Sequence, residues 1–86
     1  MHLIGDIGNT DIKICLFDNN CKLIKKIRIK THLLSKSYLS KNMNFIKSYK
    51  LKIKKVLFSS VVPLAYKEIK KFISKSVNVK CIELKQ

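Results

Sequence analysis

A short run near the N-terminus contains most of the residues that could do chemistry. Between Ile4 and Lys13 the chain places two carboxylates, two glycines, an amide, a hydroxyl and an ammonium. Their order predicts a strand, a tight turn and a second strand. Such a hairpin can offer backbone N–H groups, a hydroxyl and an ammonium to a phosphate chain, while Asp6 holds the accompanying magnesium.

The chain has only two glycines, Gly5 and Gly8, and both lie in this run. Glycine is used where the backbone needs a positive φ or approaches a ligand closely, so the pattern predicts one of these at the turn. An ordinary β-hairpin between two apolar runs needs the same residue types, and this alternative stays open at this point.

Length and composition predict one small domain. The chain has 86 residues, of which 47% are hydrophobic, so it can build one modest core. No apolar run approaches the roughly 18 residues of a membrane span, and no secretory signal precedes the first strand, which predicts a cytoplasmic protein without a membrane partner. Three cysteines without paired spacing indicate neither a disulfide framework nor a zinc site.

The formal net charge of +14 is a second conspicuous feature. It could favour nucleic acid, an anionic membrane or phosphorylated ligands. Arg28 is the only arginine among the basic residues, whereas recognition of base edges favours arginine. We therefore expect weak, salt-dependent binding to polyanions and keep a small basic polyanion- or nucleic-acid-binding module as an alternative function.

Hydrophobic periodicity predicts the order β-β-β-α-β-α-β. The strands are expected at residues 2–7, 12–17, 21–30, 54–62 and 77–84, with the first two buried on both faces. Leu39, Met43 and Ile46 indicate a helix from Ser35 or Ser37 to about residue 49. A second helix begins at Pro63, and its predicted apolar face consists of Leu64, Ile69, Phe72 and Ile73.

This order predicts an α/β fold with one mixed sheet and helices on its faces. It suits the ribonuclease H-like domain, which occurs in nucleases and in the acetate kinase, sugar kinase, Hsp70 and actin superfamily. A nuclease of that fold needs several acidic residues converging on metal ions. The chain has five acidic residues in all, and a carboxylate cluster around Asp6 looks poorly supplied.

Two separated motifs resemble those of the type III pantothenate kinases. The first is Asp6, Ile7, Gly8, Asn9, Thr10, Asp11, Ile12 and Lys13, followed by Leu16, Phe17 and Asp18. The second runs from Ser59 to Pro63, directly after a strand, and resembles the characteristic strand-to-helix junction of that family. The resemblance extends over nearly the whole chain, and residues 30–52 are its least distinctive stretch.

The resemblance implies ATP-dependent phosphorylation of pantothenate, the first step of coenzyme A synthesis. It also implies use of Mg²⁺ and of a monovalent cation such as K⁺ or NH₄⁺. Residues 6–13 would contact ATP, with Asp6 positioning the magnesium and Lys13 neutralising charge on the transferred phosphoryl group. The backbone of residues 8–10 would approach the phosphates, and the Thr10 hydroxyl would donate to them. Asp11 stands where the family often has Asn, so it would repel phosphates unless it points away or meets the metal.

The family's general base lies in a Gly-x-Asp-Arg motif, and this sequence has no glycine after Gly8 and no aspartate after Asp18. We therefore expect the base downstream of Gln86 and no catalytic residue within the chain. The single domain would be the first half of a truncated two-domain kinase, inactive alone, that pairs as a homodimer or with a missing second domain. A non-catalytic regulatory remnant of the family is a further alternative.

Overall fold

The computed structural model describes residues 1–84. The strands are β1 (His2–Ile7), β2 (Asp11–Phe17), β3 (Leu23–Lys30), β4 (Lys55–Ser60) and β5 (Cys81–Leu84). The helices are α1 (Lys36–Asn42), α2 (Phe45–Ser48) and α3 (Pro63–Ser76), and a 3₁₀ turn spans Thr31–Leu33. The strands form one mixed sheet in the order β3-β2-β1-β4-β5. Strands β1, β2 and β3 pair antiparallel, whereas β4 runs parallel to both β1 and β5. The predicted mixed sheet of five strands is confirmed.

Burial alternates along the central strands, so only one face of the sheet lies in the core. In β1, Leu3 and Ile7 are fully buried, whereas Ile4 is 38% exposed and Asp6 is exposed. The prediction that β1 and β2 are buried on both faces was wrong, as was the prediction of helices on both faces. The buried strand residues and those of all three helices form a single cluster, so the described helices pack on one face. We call the other face the open face.

The segment after β3 forms two short helices rather than the one predicted. Ser35 caps α1 by accepting a hydrogen bond from Tyr38 N. The Asn42 side chain donates to the Tyr38 carbonyl at 2.9 Å, and such local bonds compete with continued helix formation. The predicted core face survives the break, because Leu39, Met43 and Ile46 are all buried.

Helix α3 buries a slightly different face from the predicted one. Ile69 and Ile73 are fully buried and Phe72 is partly buried, as expected. Leu64, however, is 78% exposed. Ala65 takes its place, because residues four apart lie on one helix face and Ala65, Ile69 and Ile73 form such a row.

Three strands, β3, β4 and β5, are shorter than predicted, and each difference has a local cause. The Asp18 carboxylate accepts two backbone N–H bonds in a turn where Cys21 has a φ of 63°, so β3 begins later. The Ser60 hydroxyl bonds to both backbone groups of Val62 and ends β4. The N–H of Val77 donates to Ile73, so this residue closes α3 instead of opening β5.

Gly5 has a packing role in this fold. It pairs with Phe58 across β1 and β4, and a Cβ at this position would overlap the fully buried Phe58 ring. Neither glycine has a positive φ, so of the two predicted reasons for glycine only close approach to a neighbour or ligand remains. For Gly5 the close neighbour is an aromatic side chain of the core.

The three cysteines differ in exposure, and we expect them to react with a thiol reagent at different rates. Cys21 is exposed, Cys15 is partly buried and Cys81 is buried. Burial raises the pKa of the Cys81 thiol, so at neutral pH less of it is the reactive thiolate. Peptide mapping after brief labelling should find the label first on Cys21 and last on Cys81. Early labelling of Cys81 would contradict this order, and a Cys21→Ser variant should lose the fastest phase.

No helix among the described residues is long and apolar enough to span a membrane.

Candidate phosphate-binding site

The first turn is short and its geometry is tight. Gly8 N donates to the Asp11 carbonyl at 2.9 Å, so the chain reverses through Asn9 and Thr10. A Cβ on Gly8 would lie 3.1 Å from the Asp11 carbonyl oxygen, closer than ordinary side-chain contacts. This close approach within the turn explains the glycine.

Thr31, directly after β3, supports this turn. Its hydroxyl donates to the Gly8 carbonyl at 2.8 Å, and its N–H donates to the Thr10 carbonyl at 3.0 Å. The two bonds tie the turn to the end of β3. Sequence reasoning missed Thr31, because nothing in the spacing of residues 8 and 31 indicates this contact.

A Thr31→Val variant should lose stability by about 1 kcal/mol, because the replacement keeps the shape but removes a hydroxyl donor. The change should appear as a lower midpoint of urea unfolding. Thr31→Ser is the matched control, since it keeps the donor. If the Val and Ser variants unfold at the same urea concentration, the hydroxyl does not hold the turn.

The two sequence motifs meet at Asp6. In the sheet, Asp6 lies directly between Lys13 on β2 and Ser59 on β4. The Ser59 hydroxyl donates to Asp6 Oδ1 at 2.9 Å. Side chains of Asp6 and Lys13 are exposed on the open face. The row therefore presents a carboxylate, an ammonium and a hydroxyl side by side, and Ser59 fixes the orientation of the carboxylate.

The Asp11 carboxylate forms ion pairs with two basic residues of β3. Its carboxylate lies 3.3 Å from the Lys30 ammonium and 4.0 Å from the Arg28 guanidinium. These are the ion pairs found within residues 1–84. They neutralise the extra carboxylate locally, which reduces its repulsion toward a phosphate.

The other predicted contact residues divide into two groups. The side chains of Ile7 and Ile12 are fully buried in the core, so only their backbone could meet a ligand. Asn9 and Thr10 are exposed, and within the described residues no backbone carbonyl accepts a bond from their N–H groups. Those two N–H groups, the Thr10 hydroxyl and the Asn9 side-chain amide are donors that the turn can offer.

The second motif also shapes the end of the site. Val61 N donates to the Ile7 carbonyl at 3.1 Å. This bond holds the residue after β4 beside the end of β1. The Ser60 hydroxyl bonds Val62, and α3 begins at Pro63. Ser60 thus forms the turn between β4 and α3, whereas the contact of Ser59 with Asp6 was not predicted.

The side chains around Asp6 suit a magnesium ion that is bound by one carboxylate and otherwise by water and substrate phosphates. Asp6 Oδ1 takes the Ser59 bond, and Oδ2 accepts no bond from the described residues. Within residues 1–84, no three His, Cys, Asp or Glu side chains form a metal-binding group. Mg²⁺ is commonly bound through one or two carboxylates together with water and substrate phosphates. One exposed carboxylate beside an ammonium and a hydroxyl group fits that mode.

Comparison of the sequence with known proteins finds matches in one family. The family model described as type III pantothenate kinase matches residues 2–86. A type III pantothenate kinase of Pelagibacter ubique is 38% identical over 86 residues, covering 100% of this chain and 35% of that protein. One of Fusobacterium nucleatum is 45% identical over 67 residues, covering 71% of this chain and 26% of that protein. The chain thus spans about a third of the length of these curated relatives. The chain belongs to the type III pantothenate kinase family.

Proposed function

We propose that this chain is the nucleotide-phosphate-binding domain of a kinase that phosphorylates pantothenate with ATP. The observation that carries the proposal is the position of Asp6 between Lys13 and Ser59. Those residues come from the two motifs of the resemblance, which are far apart in sequence and adjacent in the sheet. The strand order is also the one expected of a ribonuclease H-like domain, which we propose as its finer fold class.

The roles follow from the chemistry of each group. The N–H groups of Asn9 and Thr10, with the Thr10 hydroxyl, would bind phosphate oxygens at the turn. Lys13 would place a positive charge beside the same phosphates. Phosphoryl transfer depends mainly on positioning and on electrostatic stabilisation, so these groups would do most of what this domain contributes.

Asp6 would hold the magnesium ion, which when bound neutralises charge on the phosphates and orients them. The Ser59 hydroxyl would keep the Asp6 carboxylate turned toward the metal. Outer partners of this kind commonly orient a metal ligand. Asp11, paired with Lys30 and Arg28, would take no part in metal binding.

The acid–base step needs a group that this site does not supply. A general base must lie within hydrogen-bond reach of the accepting hydroxyl of pantothenate. Asp6 is assigned to the metal, and Asp11 is held by cations. We propose that polypeptide beyond these 86 residues provides the base, the second wall of the ATP site and the monovalent cation site. The chain alone would then bind nucleotide without turning it over.

Isothermal titration of the 86-residue chain with ATP tests the proposal. We expect binding in the presence of Mg²⁺ and weaker binding in EDTA, because Asp6 would hold the metal that accompanies the phosphates. Absence of binding under both conditions would refute a phosphate site in this chain. Formation of phosphopantothenate by the chain alone would leave the site standing but refute the assignment of the base elsewhere.

The homodimer or second-domain partner and the cytoplasmic location stay predictions from the sequence.

A further inference from the structure

A groove lined by lysines runs between the short helices and α3, on the opposite side of the sheet from Asp6. The central part of the groove has a volume of about 400 Å³. Lys36 and Lys47 lie on the side of α1 and α2, Lys75 lies on α3, and Lys50 follows α2. The half-buried Phe72 ring also lines this part.

The groove continues at both ends. A depression of about 160 Å³ adds Lys71 and Glu68, and it shares Lys36, Phe72 and Lys75 with the central part. On the other side, a depression of about 380 Å³ shares Lys50 and Lys75. Five lysines therefore line one connected surface, which we call the lysine groove: Lys36, Lys47, Lys50, Lys71 and Lys75.

The charge of the lysine groove is almost uncompensated. All five lysines are exposed, and the ion pairs within residues 1–84 lie elsewhere, at Asp11. Glu68 is the only acidic residue of the sequence between Asn19 and Ile82. Five ammonium groups along a concave surface repel one another and focus positive potential there. A bound polyanion would relieve that repulsion and release counterions.

The residue types indicate what kind of polyanion fits. Lysine is a flexible point charge that pairs with phosphates without reading their geometry. Among the described residues, no arginine lines the lysine groove to read base edges, and Phe72 is the only aromatic side chain that lines it. The five lysines are distributed over three connected depressions rather than confined to one of them, which suits an extended chain of phosphates.

We propose that the lysine groove binds the phosphodiester backbone of a nucleic acid without base specificity. The site is separate from the ATP site, since helices cover one face of the sheet and Asp6 and Lys13 lie on the open face. The proposal therefore stands independently of the proposed kinase function. The five lysines of the groove contribute to the net charge of +14.

Fluorescence anisotropy with a labelled single-stranded DNA oligonucleotide, measured over a series of NaCl concentrations, tests this proposal. The groove variant Lys36→Gln/Lys47→Gln/Lys50→Gln/Lys75→Gln is compared with a control that loses the same charge elsewhere, Lys22→Gln/Lys26→Gln/Lys54→Gln/Lys80→Gln. The control lysines are exposed and do not line the groove. Lys13 remains in both variants, so the ATP site is the same.

For the wild-type protein we expect log affinity to fall with log salt at a slope of about −3.5, since each of five contacted phosphates contributes about −0.7 on a single strand. The groove variant should bind at least about tenfold more weakly and flatten the slope by about 3. The control should keep most of the wild-type slope. Equal losses in both variants, no salt-dependent complex, or binding to phosphatidylserine vesicles but not to DNA would each overturn the proposal.

Discussion

We expect a Gly5→Ala variant to unfold at a much lower urea concentration than the wild-type protein. Its Cβ would overlap the Phe58 ring, which is fully buried and lies in a filled core. Overpacking of this kind typically costs about 1–3 kcal/mol and sometimes more. We expect about 3 kcal/mol here, since Gly5 lies on the central strand β1 and the Phe58 ring is fully buried. That is a large fraction of the stability of about 4–13 kcal/mol expected for a domain of 86 residues.

Two further variants separate this clash from a general effect of the substitution. Gly8→Ala makes the same change at a turn, where the Cβ would meet only the Asp11 carbonyl oxygen, at 3.1 Å, and it should cost less. Phe58→Leu in the Gly5→Ala background should recover part of the lost stability, because a smaller side chain leaves room for the methyl group. If Gly5→Ala is no worse than Gly8→Ala, or Phe58→Leu recovers nothing, the clash is not the cause.

An Asp6→Asn variant should lose the magnesium-dependent part of ATP binding. If Asp6 holds the metal, its removal should weaken binding of MgATP by at least about tenfold, or about 1.4 kcal/mol. In EDTA the same variant should bind ATP as well as or better than the wild-type protein, since one negative charge near the phosphates is gone. Isothermal titration with and without Mg²⁺ measures both effects.

Asp11→Asn is the matched control for this experiment. It makes the same change in charge at the same hairpin, but at a carboxylate already paired with Lys30 and Arg28. We expect it to retain the gain in ATP affinity that Mg²⁺ provides. An equal loss in both variants would indicate a general charge effect, and an Asp6→Asn variant that keeps the full magnesium dependence would remove Asp6 from the metal site.

The sequence predicted the sheet better than it predicted what lies on it. Alternating burial in β1 and β4 was obscured because Ile4 on β1 and Leu57 on β4 occupy open-face positions with apolar side chains. Such strands look continuous in hydrophobicity even when only one face is buried. Likewise, Leu64 satisfied the apolar pattern of α3 but lies one position away from the buried row, where Ala65 packs.

The site could be predicted in part, because its two motifs were visible and the strand order brought them together. The contact between Ser59 and Asp6 could not be predicted, since it depends on the register of β1 against β4. A shift of one residue would turn every side chain of β4 to the opposite face. Thr31 shows the same limit, because its two bonds depend on where β3 ends relative to the turn.

Asp6 stands on β1, the central strand, and this position ties ligand binding to cooperative unfolding of the domain. Fraying of the edge strands β3 and β5 leaves the pairing of β1 with β2 and β4 intact, whereas any opening that separates Lys13, Asp6 and Ser59 must break the middle of the sheet. A ligand held by that row would therefore raise the free energy of global unfolding by mass action. It would leave local opening at the edges of the sheet almost unchanged, a pattern that native-state hydrogen exchange distinguishes.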